Sequence, residues 1–332
     1  MKDYVILFDL QLFAELNTNV TTAVAEGNNL SAEMKTFYDM TLIDEASAEL
    51  VHDQFGQKRP IPANGGKKIE FRKFSSLPKA TTPLTEGVTP DGNKLDVTKI
   101  EAEVSQYGDY IVQSDILELT AIDNTIVEAT KMLGKQAGLT LDTVVRNVLQ
   151  SGTNVMYAPN GTNEVTSRSN VTADCKLTVD VVKRVVAWLR ANNAPKINGD
   201  YVAIIHPYVA YDLMSDEAWI EAHKYAQPEN IYQGEIGKIA GVRFVESTEA
   251  KIYDNGVFGC LFFGEGAYGT TEVTGGGLQT IVKQKGSAGT GDPLDQRSSV
   301  GWKALKTAEI LVENYLVRVE CGSAFSSKAE AN

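Results

Sequence analysis

This 332-residue chain is short of the residues that most often carry chemistry, with three cysteines and three histidines. Cys175, Cys260 and Cys321 are scattered, without metal or redox spacing, and read as buried small hydrophobes in a reducing compartment. His52, His206 and His223 match no H-E-x-x-H pattern and have no cysteine pair nearby, which excludes the common zinc arrangements. His52 is expected near the end of a helix, where a cation is favoured, and His206 at a strand end, bonded to backbone. There is no G-x-S-x-G elbow and no Ser/His/Asp order. No run of 18 apolar residues occurs, so no membrane span is expected. Lys2 is offset by Asp3 and Asp9 and the following apolar run is interrupted, which makes a poor secretory signal. Positive charge is also in deficit: 31 Lys and Arg face 43 Asp and Glu, a net −12. That balance opposes a protein that grips nucleic acid by neutralising phosphates.

What remains is ordinary globular material, 43% hydrophobic and 22% charged, long enough for two or three cores. After the apolar Tyr4–Phe13, residues 17–29 are rich in Asn, Thr, Ala and Gly and cannot build a core alone. Residues 31–54 carry a helical stripe of Met34, Phe37, Tyr38, Leu42, Ile43 and Leu50. Lys67–Phe74 alternates as a half-buried strand. From Pro78 to Gly108 the chain is punctuated by Pro83, Gly87, Pro90 and Asp91-Gly92, with Ile100, Ala102 and Val104 alternating against Glu101, Glu103 and Ser105. Asp-Gly between extended runs predicts a hairpin, and a lone two-stranded ribbon must pack on something else. Ser114-Asp115 caps a short helix. Residues 124–150 form the longest helical stretch, with Gly134 and Gly138 inviting a bend. Residues 152–174 read as a surface loop.

The segment Leu177–Ser247 is the most legible. Val181, Val182, Val185, Val186 and Leu189 define one face of a helix opened by Thr178 and closed by Asn192, Asn193 and Pro195. Tyr201–Ile205 follows as a buried strand, then a helix beginning at Pro207, then glycine-punctuated turns before the strand Val242–Glu246. Val257–Phe263, Leu278–Lys283 and residues 301–320 supply further strands. No internal repeat is present. The layout is α+β, one domain inserted in another.

Ile205-His206-Pro207 entering a helix, and Glu235-Ile236-Gly237-Lys238-Ile239-Ala240-Gly241-Val242 before a strand, resemble the central domain of the tailed-phage major capsid protein family. Phe8–Glu15 and Leu84-Thr85-Glu86-Gly87-Val88-Thr89-Pro90 echo the same family, so the resemblance runs over nearly the whole chain. It implies the α+β tailed-phage major capsid protein fold. The parts would be an N-terminal arm (1–30), a peripheral domain with a spine helix (31–77 and 109–176), an extended hairpin loop (78–108), a central axial domain (177–277) and return strands (278–332). It further implies a coat protein assembling with copies of itself into pentamers and hexamers of an icosahedral shell. Scaffolding, portal and decoration proteins are further expected partners. The shell would enclose double-stranded DNA without sequence-specific binding, in the virion and, during assembly, in the host cytoplasm. An encapsulin-like nanocompartment shell and an unrecognised α+β enzyme are the alternatives.

No catalytic, cofactor-binding or metal residue is expected, and the motifs that invite one fail on their context. Gly264-Glu265-Gly266-Ala267-Tyr268-Gly269 matches G-x-G-x-x-G, but β-branched residues and Gly275-Gly276-Gly277 follow, so no helix can start there to receive pyrophosphate. A glycine-rich turn between strands is the expectation. Glu101 and Glu103 share a strand face at a spacing that mimics a glycosidase pair, yet lie on a projecting ribbon with no pocket implied. Glu86 is a candidate bridge to a basic residue of a neighbour. Some members of the family staple their shells by a lysine–asparagine isopeptide bond; Lys94, Lys99 and Asn314 lie in suggestive places, but no motif assigns them that role.

Overall fold

The computed structural model describes residues 50–61, 67–74, 92–120, 125–226, 237–271, 276–287, 291–326 and 329–332, with individual positions between 40 and 46 and between 77 and 89. The expected arm, residues 1–30, lies outside these. In chain order the first strands are β1 (Gln57–Lys58), β2 (Lys68–Phe74), β3 (Val97–Glu103) and β4 (Ser105–Ser114). Helices α1 (Asp115–Thr120) and α2 (Thr125–Gln150), strand β5 (Val155–Tyr157) and helix α3 (Val179–Ala191) follow. Next come β6 (Tyr201–Ile205), α4 (Pro207–Met214), α5 (Glu217–Ala226), β7 (Lys238–Ile239), β8 (Val242–Glu246) and β9 (Ile252–Tyr253). The chain closes with β10 (Val257–Phe263), β11 (Tyr268–Thr271), β12 (Gln279–Lys283), β13 (Arg297–Ile310) and β14 (Leu316–Cys321).

Among the described residues these strands make three sheets. The largest has the order β5-β14-β10-β6-β8-β7, with β9 also on β10. Strand β6 is buried at all five positions because both faces are covered. Tyr201, Ala203 and Ile205 pack with α3, while Val202 and Ile204 pack with Val145 and Leu149 of α2. This is why β6 and β10 are continuous apolar runs rather than alternating ones. The second sheet runs β1-β11-β13-β12, with β4 along the other side of β13. The third is the two-stranded ribbon β2–β3.

Helix α2 joins the two large sheets. Its buried residues Leu133, Ala137, Leu141, Val145 and Leu149 recur every fourth position. Four residues turn through roughly 400°, so such a stripe drifts about 40° per step around the helix. The early members therefore meet β13 at Val300, Trp302 and Ala304, and the late ones meet the large sheet. The helix runs unbroken through Gly134 and Gly138. Gly134 is there for closeness: a Cβ would lie 2.8 Å from the carbonyl oxygen of Leu42 and 3.1 Å from Cβ of Glu45. Gly134→Ala should therefore destabilise the subunit by about 1–3 kcal/mol through crowding, outweighing the ~1 kcal/mol gain in helix propensity. Urea unfolding midpoints of the two proteins check the sign.

Four expectations need correction. The helix expected through Gln54 is already over at Leu50, and residues 52–55 form a turn. Asp142 of α2 takes the His52 N–H at 2.6 Å, which removes it from any helical ladder. The ribbon is not a tight hairpin closed at Asp91-Gly92, of which Asp91 lies outside the described residues. Its arms are Lys68–Phe74 against Val97–Glu103, and residues 75–96 form the connection. Pro78, Pro83 and Pro90 donate no ladder hydrogen bond, so the outgoing arm stops before them. Thr178 makes no side-chain cap on α3; Asp216 instead accepts from the Val179 N–H at 2.8 Å, a partner distant in sequence. Finally, the expected surface loop 152–174 contains β5, whose three residues are too few to show a period.

Candidate assembly surface

The ribbon is built from its sequence alternation. Its solvent face carries the pairs Lys99–Glu70 at 3.2 Å and Lys68–Glu101 at 4.0 Å, exposed contacts worth little individually. Its other face turns Phe71 and Ala102 inward, both buried. The Phe71 ring rests on the backbone of β11, where a Cβ on Gly269 would come within 2.8 Å of it. Gly269 is the last glycine of the G-x-G-x-x-G match, so that position serves close packing of the ribbon's root. The rest of the motif is a turn from β10 to β11, with Gly266 at φ +70° and Gly264 against the carbonyl of Pro195. A strand follows where a nucleotide site needs a helix.

The other flagged residues are structural or remain apart. Glu101 and Glu103 are exposed on β3. His206 Nδ1 accepts from the Tyr208 N–H at 3.1 Å, capping α4, and burial pushes its pKa down. This holds the ring in its neutral, accepting form. His52 is fully buried, with Nδ1 2.6 Å from Asp142 Oδ2, and Tyr268 donates its hydroxyl to the His52 carbonyl. The side chain of His223 lies outside the described residues. Lys99 is engaged by Glu70, Lys94 is exposed in the 75–96 connection, and Asn314 is exposed in the turn before β14. The three cysteines are free and buried. Cys260 and Cys321 sit 3.7 Å apart on adjacent strands; their contact, together with burial, pushes the Cys321 thiol well up, so it stays a thiol.

Sequence reasoning missed two buried ionic clusters. Lys306 Nζ lies 2.9 Å from Asp53 Oδ1, with both side chains at 5% exposure or less. Burial alone would raise the Asp53 carboxyl, but Lys306, Lys58 and a hydrogen bond from Thr270 outweigh it and hold the pKa below 3.8. Glu320, fully buried on β14, is held by Arg168 through Nε at 2.7 Å and Nη2 at 2.5 Å, and by Arg318 at 2.9 Å. The Arg168 guanidinium also stacks 3.6 Å from the Tyr253 ring. These pairs tie the turn at 53 to β13, and the 168–170 turn to β14.

Large apolar side chains stand in solvent on β4 and on α1. Tyr110 and Val112 on β4 are 59% and 48% exposed, and Ile116 and Leu119 on α1 are 69% and 79% exposed. Among the described residues β4 is paired only with β13, leaving its outer edge open. A long open edge beside exposed apolar residues is a surface that a soluble monomer normally protects.

The phage capsid protein family model matches residues 112–260. The capsid structure of cyanophage Pam1 superposes with a TM-score of 0.66 at 15% identity, covering 93% of this chain and 100% of that one. That of Ralstonia phage GP4 gives 0.62 at 12% identity and covers 100% of both. The chain has the phage capsid fold, and its residues 112–260 match that family's model. A virus-like particle from Pyrococcus furiosus aligns less well, at TM-score 0.51 and 12% identity over 86% of this chain and 99% of that one. The nanocompartment alternative is not better supported than the phage one. No curated protein matches in sequence. The chain carries the tailed-phage major capsid protein fold, and the solved structures it resembles are capsids. Its buried ion pairs brace the subunit, while its ribbon and the β4 edge face outward.

Proposed function

We propose that this capsid protein forms the pentamers and hexamers of an icosahedral shell around double-stranded DNA, assembled in the host cytoplasm. The arm (1–30) and the ribbon with its 75–96 connection would reach adjacent subunits. The module 177–277 would meet its copies around each capsomer axis, with α2 and the strands after 278 carrying the rest of the lattice. The observation that carries this reading is the ribbon itself. Two strands joined by a proline-broken connection, with no third strand among the described residues, are marginal in water. A ribbon of this kind makes sense when a neighbour covers it. Many modest contacts, each repeated around the shell, then add up by raising the effective concentration of the next. The net charge of −12 suits a container that does not adhere to its DNA. Scaffolding, portal and decoration proteins are proposed as further partners.

The test is negative-stain electron microscopy with light scattering on the full chain, alone and co-expressed with the scaffolding protein of its phage. Closed shells, tubes, or rings of five or six are the expected products. A monodisperse monomer or dimer under both conditions would overturn the reading.

A further inference from the structure

A small cleft lies where the ribbon meets the turn between β10 and β11, with a volume of about 140 Å³. That is well below the ~300–1,000 Å³ of a small-molecule pocket, so its natural occupant is one side chain. Its walls are chemically divided. Phe71, Ile100 and Leu311 give an apolar floor, and Arg59 and Arg72 stand at the rim. Arg72 reaches Glu70 only at 3.9 Å, and Arg59 has no carboxylate partner among the described residues, its guanidinium lying 5.8 Å from the Phe71 ring. In a chain with 43 acidic and 31 basic residues, an arginine left without a carboxylate beside an apolar cleft is an unmet demand for an acid.

The chain also holds an acid without a base. Glu86 is exposed in the turn Glu86-Gly87 of the ribbon's connection, and makes no ion pair among the described residues. At Gly87, φ is +78° and a Cβ would meet nothing within 4 Å, so there is open space beside Glu86. In sequence Glu86 is flanked by Leu84 and Val88, an acid set among apolar residues. Resting on the shell reading above, we propose that Glu86 of one subunit inserts into the Arg59–Arg72 cleft of a second copy. Its carboxylate accepts from the Arg59 guanidinium. The cleft stands at the ribbon's root, beside the Gly269 contact that anchors Phe71. Each docking would thereby brace the ribbon that makes the next one.

Charge exchange tests the pairing, with particle yield from expressing cells as the readout. R59E and E86R are each expected to cut the yield at least about tenfold, because each places like charges face to face. Thermal unfolding of the soluble subunits should be unchanged. The double variant R59E/E86R should restore particles. Co-expression of the two single variants should raise the yield above that of either alone, since at mixed junctions an acid on one subunit meets an arginine on another. Rescue by the double variant without rescue by co-expression would show that the pair forms within one subunit and overturn the proposal. So would wild-type yields from E86R, or a double variant no better than the singles. If R59E fails to fold, R59Q replaces it, and an unchanged salt dependence of assembly in R59Q counts against the pairing. Absence of particles from the wild-type chain even with its scaffolding protein would remove the shell reading itself, and this pairing with it.

Discussion

Lys306→Ala is expected to destabilise the folded subunit by about 3–5 kcal/mol, the largest single-residue effect anticipated here, because it strands a buried carboxylate. Asp53 and Lys306 are nearly inaccessible, at 5% and 3% exposure, and 2.9 Å apart. Removing the ammonium leaves Asp53 with Lys58, whose Nζ is 3.5 Å away and mostly in solvent. The pH dependence gives a second readout. The Asp53 pKa is lowered in the fold, so its contribution is fully present above the unfolded value of 3.8 and is lost as pH falls through the lower folded value. In Lys306→Ala, burial is no longer outweighed, the folded pKa rises, and the variant should gain relative stability on acidification. Urea unfolding from pH 3 to pH 7 measures both. The double variant D53L/K306M should recover most of the loss, since well-packed apolar residues replace a buried pair at little net cost. A Lys306→Ala midpoint equal to wild type would mean the pair contributes nothing.

Deleting Thr89–Lys94 should do the opposite, leaving stability intact while abolishing shells. The described residues of this stretch are exposed and lie in the connection between the ribbon's arms, outside every buried cluster. Shortening it leaves β2 and β3 paired through their full register, Lys68↔Glu103 to Phe74↔Val97. If the connection reaches a neighbour, each subunit loses a contact repeated throughout the lattice. Linked contacts multiply, so the particle yield should fall by ~10²-fold or more. Circular dichroism and thermal unfolding should match wild type. Normal particles from the deletion would refute the role proposed for the ribbon.

Much of this architecture was readable in advance where burial imposes a period. The face Val181, Val182, Val185, Val186 and Leu189 is the buried face of α3. The run Tyr201–Ile205 is β6 to the residue, and Val257–Phe263 is β10. His206 bonds backbone at a strand end as expected. The errors fall where a distant residue decides. Thr178 looks like a cap, but Asp216 performs the capping. The helix near Gln54 ends early because Asp142 captures a backbone N–H from α2. The hairpin signal Asp91-Gly92 was outweighed by prolines that bar a ladder. Gly134 and Gly269 looked like a weak point and a motif member; both are contact points where another segment approaches too closely for a side chain.

One buried charge was legible after all. Val300, Trp302, Ala304 and Ala308 are the inward positions of β13, and Lys306 falls in the same alternation, so the sequence alone marked a lysine facing a core. It could not name the partner, because Asp53 lies in a turn that shows no period. Composition and hydrophobic periodicity, which act locally, determined the α+β class, the long helix and the buried strands of this protein. Which side chains meet was decided by the tertiary structure: the ionic clusters, the glycine contacts, the ribbon's true arms and the cleft at its root. Each of those depends on residues far apart in the chain, and their energies arise only once the fold removes them from water.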